Sequence, residues 1–189
     1  MAGVSLCGIV AQAQGPTYRL GRTPTQDEIS AWNLTILPDG RGLPRGTGTA
    51  KEGAQIFAQK CAQCHGTNAG STTTYHRPLV GGKGSLTTIQ PVKSIGNYWA
   101  FATTVFDYIR RGMPQNAPGS LSVNEVYAVT AFLLYRNDIV KENDVVDSET
   151  LPKIQMPARN QFFPSNPEWK PGYYQPYWEP QPIPRVKKP

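Results

Sequence analysis

A mostly α-helical fold is predicted for this 189-residue chain, with an extension before the helical domain and an extended, proline- and aromatic-rich tail behind it. Three observations carry the prediction. Helix-capping signatures stand at Thr25 and Ser122, apolar stripes of helical period fill three segments between residues 49 and 140, and the composition changes abruptly at Leu151. The length suits one domain plus appendages, and 18 Pro with 18 Gly imply that much of the chain lies outside regular elements.

Residues 1–14 read as the remainder of a secretory signal. Val4 to Val10 is mostly apolar and Ala11-Gln12-Ala13 resembles a small-residue cleavage site, although no Lys or Arg precedes Arg19, as a recorded start downstream of the true one would leave it. Export to the periplasm is the expectation, and Cys7 would leave with the signal. Residues 15–48 form an N-terminal extension. Thr25 with Glu28 makes a capping box for a short helix through about Trp32. Asn33 to Leu37 alternates polar with apolar and reads as a brief extended run, Pro38-Asp39-Gly40 as a turn, and Gly42 to Gly48 as an irregular linker.

The helical domain spans 49–140. Its first helix lies between Thr49 and Cys61, with Ile56 and Phe57 on the apolar stripe and Gly53 one turn before Phe57. A second covers Phe101 to Arg111, with Ala102, Val105, Phe106 and Ile109 on one face and Gly112 as its stop. The third runs from Val123 to about Tyr135, opened by Ser122 and Glu125, with Leu121 and Val126 spaced as a hydrophobic staple and Val126, Val129 and Leu133 facing inward. Residues 141–189 form the tail. From Leu151 on, ten of 39 residues are Pro, interleaved with Phe162, Phe163, Trp169, Tyr173, Tyr174, Tyr177 and Trp178. Such a segment adopts extended or polyproline-like backbone, and its aromatics imply that it lies against something.

The chemistry is concentrated in Cys61-Ala62-Gln63-Cys64-His65. Two thiols three positions apart can each form a thioether to one vinyl group of a single porphyrin, while the following imidazole reaches its iron. This is the attachment signature of haem c. A structural zinc site would need two further ligands, for which only Cys7 and His76 remain. A redox dithiol belongs on a βαβ pattern that the chain lacks. One covalent haem c is the expected cofactor.

The second axial ligand must come from a later loop. Met113 lies 48 positions after His65, behind a helix stop, and Pro114 favours extended backbone there; Met156 shares the Met-Pro context but follows the last helix, and His76 is the remaining candidate. The net charge of +6 is no signal of nucleic acid: residues 151–189 hold +4 of it, the body holds 13 Lys/Arg against 11 Asp/Glu, and no nucleic-acid module appears. No apolar run approaches membrane-spanning length.

On these motifs, residues 49–140 resemble a class I cytochrome c domain. The resemblance implies that the Gly53 and Phe57 face of the first helix crosses the last helix at Phe132, and that the Pro78 carbonyl, in Pro78-Leu79-Val80-Gly81, accepts a hydrogen bond from the His65 imidazole. Thr23-Pro24-Thr25 through Trp32, Leu37 to Pro44, Tyr98-Trp99, Asp107 to Arg111 and Val126-Tyr127-Ala128 are further similar to the cytochrome subunit of bacterial sulfane dehydrogenase. That likeness covers about residues 15–160. It implies a periplasmic, non-catalytic electron-transfer subunit, paired with a molybdenum-cofactor subunit of the sulfite-oxidase type and passing electrons to a soluble cytochrome or terminal oxidase. A different periplasmic dehydrogenase as partner, or a catalytic haem protein with a free distal position, are the alternatives. The chain departs from the family in lacking a second haem motif and in its aromatic tail.

Overall fold

The computed structural model describes residues 20–70 and 78–162. It divides into two compact units, one running to Leu34 and the other starting at Thr35. The signal-like segment with Cys7, the candidate His76, and the tail aromatics after Phe162 lie outside the described residues.

In the first unit, α1 (Gln26–Trp32) begins where its capping box predicts. The Glu28 amide donates to the Thr25 hydroxyl, and the Thr25 amide donates to the Glu28 carboxylate at 2.8 Å. Arg22 grips the same carboxylate, 2.7 Å from Nη1 to Oε2, and its hydrogen bonds, with that of the Thr25 amide, push the acid down to about 2. None of the helix is buried, and Trp32 is 88% exposed. Seven residues cannot sustain a helix by propensity, so this local ring of cap and ion pair defines it.

The expected extended run at Asn33 to Leu37 forms no strand. Leu37 instead opens the turn, its amide donating to the Arg41 carbonyl at 2.9 Å, while the Arg41 amide donates to the Asp39 side chain at 3.0 Å. Five alternating residues without a partner edge gain nothing from extension, whereas Asp39 offers the backbone a bond locally. A strand does form in the supposed linker: β1 (Thr47–Gly48) pairs antiparallel with β2 (Val146–Asp147), Thr47 opposite Asp147 and Gly48 opposite Val146. Two residues are too few to leave a periodic signal.

The second unit is built on α2 (Ala50–Lys60), the single turn α3 (Ala62–His65), α4 (Ile95–Tyr98), α5 (Ala102–Gly112) and α6 (Val123–Arg136). The central crossing is α2 on α6. Gly53 permits it, because a Cβ there would stand 1.9 Å from the Ala128 carbonyl oxygen; Gly48 meets the same residue from the other side, 2.3 Å from the Ala128 nitrogen. The rings of Phe57 and Phe132 then pack with centroids 5.1 Å apart, the contact that the family resemblance implied. The helix α6 is buried along every residue from Val126 to Leu134, not on one face only. Helices, a strand and the returning chain surround it, and the buried Thr130 hydroxyl is satisfied by donating to the Val126 carbonyl at 2.7 Å.

Packing continues past the compositional change at Leu151. Val146, Leu151, Met156 and Ala158 are all buried. Pro152 falls in the first turn of a short 3₁₀ segment, Leu151–Lys153, where its missing N–H costs nothing. The Arg159 guanidinium then lies 3.9 Å from the centroid of the Phe101 ring. Among the described residues, no helix is long and apolar enough to cross a membrane.

Candidate functional site

Three breaks in helical backbone gather the reactive side chains. The first is at Cys61, which ends α2 with its amide still donating to Phe57 at 2.9 Å and then caps α3, so Cys64 and His65 sit on a new turn rather than continuing the old one. The second is Gly66, at φ +74°, which stops α3 directly after His65. The chain returns through Leu79: the Ala69 carbonyl accepts from the Leu79 amide at 2.9 Å, and the Leu79 carbonyl accepts from the Ile95 amide at 3.2 Å and the Asn137 side chain at 3.1 Å. Leu79 is thereby tied to the C-terminal end of α6. The third break ends α5. Met113 is extended, at φ −124° and ψ 147°, its amide still donating to Ile109, and it joins Pro114 through a cis peptide bond.

Between these elements lies a cavity of about 410 Å³, within the usual size of ligand sites. Its apolar walls come from Phe57 on α2, Leu79, Ile109 on α5, Leu121, and Val129 and Leu133 on α6. Cys61, Cys64, His65 and Met113 all line it as well. The four are thus brought to one cavity although 52 positions separate the first from the last. Met156 goes elsewhere: it is 3% exposed in the core and lines no part of this cavity. Pro78 is half-buried and off the wall, and its neighbour Leu79 takes that place.

Lys60, Gln63, Gln115 and Asn116 also line the cavity, and the motif reading did not single them out. Their signal was adjacency, since they sit within two or three positions of Cys61, Cys64 or Met113. Lys60 reaches Glu125 at the start of α6, with 2.5 Å between Nζ and Oε1. That bond, followed by one from the Ser122 amide, holds the Glu125 carboxyl below its usual range. Burial pushes the Cys61 thiol up to about 11, against the opposing charge of Lys60.

The donor set suits a flat apolar macrocycle. Two thiols stand at an apolar chamber with an imidazole and a thioether delivered to it by different elements.

Comparisons with known proteins bear on the family. Residues 48–133 match the family model described as cytochrome c oxidase, cbb3-type, subunit III. The chain is also similar to a solved structure, that of the sulfane dehydrogenase SoxCD from Paracoccus pantotrophus, at 37% identity over 91% of this chain and 86% of that one, with a TM-score of 0.76. No curated protein matches the chain.

Proposed function

The chain belongs to the class I cytochrome c family and is an electron-transfer haem subunit; on that premise we propose that it carries one haem c and serves a periplasmic molybdenum-cofactor dehydrogenase of sulfur compounds. The observation that carries the site is the convergence of Cys61, Cys64, His65 and Met113 on one apolar cavity. The observation that carries the partner is a likeness to the sulfane dehydrogenase structure extending over nearly the whole chain.

In this reading Cys61 and Cys64 would hold the haem by thioethers, and His65 and Met113 would ligate its iron. The Pro78 carbonyl accepts from the imidazole, which fixes the tautomer and orients the ring. When bound, the haem supplies a one-electron couple. Phe57, Leu79, Ile109, Leu121, Val129 and Leu133 would exclude water from it, and the Met113 thioether would favour the reduced iron, which suits acceptance of electrons from a dehydrogenase. A molybdenum centre releases two electrons per turnover, so this subunit accepts them singly and hands each to a downstream cytochrome or terminal oxidase. A catalytic haem protein needs an open iron position, and Met113 on the cavity wall would be placed to fill it.

The test is chemical. Joint replacement of Cys61 and Cys64 by Ala, followed by denaturation and extraction with acidified organic solvent, releases all haem if the thioethers are its only covalent link. Haem remaining on the polypeptide refutes the assignment. Copurification from the native host then identifies the dehydrogenase.

A further inference from the structure

A protein of net charge +6 invites the expectation of a positively charged face around its redox centre. The cavity mouth is built otherwise. Among the described residues lining the cavity, Lys60 carries the sole permanent charge, and it is spent on Glu125, 65 positions away. The acid is itself fixed: Oε1 takes the ammonium while Oε2 accepts the Ser122 amide at 2.9 Å. Both side chains reach the surface, at 37% and 27% exposure. Gln63, Cys64, Gln115 and Asn116, which line the same cavity, are exposed and uncharged, and so is the run Ala117-Pro118-Gly119-Ser120 that follows them.

We propose that the mouth of this cavity is a charge-neutral docking face, in which Glu125 cancels Lys60, and that the electron partner meeting it presents an uncharged surface. A charged partner face would lose its hydration against these groups without gaining a counter-ion. Such docking trades electrostatic steering for an encounter insensitive to ionic strength, and the pair's role is to keep the Lys60 charge from drawing anions to the redox centre.

The inference rests on the haem occupying this cavity, and two small oxidants test it without knowledge of the partner. Reduced full-length holoprotein is mixed at low salt with anionic ferricyanide or with cationic tris(phenanthroline)cobalt(III), and both rates are followed by the haem absorbance. Glu125→Gln preserves the capping box, because Gln serves at that position as well as Glu, while exposing the lysine charge. It is expected to speed ferricyanide and slow the cobalt complex by about fivefold each, the effect of one unit charge about 10 Å from a trivalent probe. Lys60→Gln is expected to do the reverse, and the double variant to return to wild-type rates. A haem-bearing protein whose two rates ignore both substitutions overturns the neutral-face proposal alone, whereas a chain without covalent haem overturns the cavity assignment and this inference with it.

Discussion

Replacing Gly53 by Ala tests the crossing on which the cavity depends. The added Cβ would stand 1.9 Å from the Ala128 carbonyl oxygen, 2.5 Å from its carbon and 2.8 Å from the Phe132 Cβ. Two of those three atoms are backbone of α6, a helix buried on all sides, so no rotamer change relieves the clash and α6 must move off α2. Overpacking of this kind costs about 1–3 kcal/mol, and the backbone obstacle places it at the upper end. Alanine's better helix propensity returns about 1 kcal/mol, leaving a net loss of about 2 kcal/mol. For a chain of this length that lowers the melting temperature by about 4–8 °C, read by far-UV circular dichroism on the holoprotein. Gly112→Ala is the control, because its Cβ meets nothing within 4 Å at the last residue of α5; it is expected to be neutral or to raise stability by about 0.5–1 kcal/mol. An unchanged or higher melting temperature for Gly53→Ala, beside a well-behaved control, refutes the packing argument.

The sulfur ligand is tested by the near-infrared sulfur-to-iron charge-transfer band of the oxidised protein, which is expected to vanish in Met113→Leu and survive in Met156→Leu; the opposite pattern reverses the assignment. Truncation after Asn160 is expected to leave the haem spectrum and melting temperature unchanged and to weaken association with the copurifying molybdenum subunit, as a docking arm requires; a lower melting temperature with unchanged affinity makes the segment an internal brace. The carboxyl of Glu125 is a stronger acid folded than unfolded because Lys60 and the Ser122 amide favour its anion. Its contribution, under about 1 kcal/mol for a solvated pair, is therefore full above its ordinary value of 4.5 and lost as pH falls through the lower folded value. The gap in urea midpoint between wild type and Lys60→Gln should accordingly close between about pH 6 and pH 3, and a widening gap contradicts the sign.

What the sequence made legible was local. Thr25 and Ser122 each cap a helix in the box arrangement, a pattern that needs only four residues to be read; the same box at Thr49 went unread. The haem pentapeptide is equally self-contained. The Met113 loop needed one long-range assumption; its backbone is extended, and Met113 lines the same cavity as Cys61, Cys64 and His65. The reading failed where a residue's environment is set by distant chain. The β1–β2 ladder joins positions about a hundred residues apart, α6 shows no single inward stripe because it is enclosed, and Met156 carries a Met-Pro signature while filling the core. Lys60 gave no hint of Glu125, since an ion pair across 65 positions leaves no spacing signal.

The small ladder also has a mechanical meaning. It joins the residues that lead into α2 to those that follow α6, and beside it the Tyr127 hydroxyl donates to the Pro44 carbonyl at 2.9 Å. Residues outside the ladder on both flanks, among them Leu43 before it and Leu151 and Met156 after it, also pack on the core, so this clasp shares in anchoring the two ends. The entry to α2 and the exit from α6 are thus held side by side, so the turn carrying Cys61, Cys64 and His65 lies inside a closed ring of chain and not at a free end.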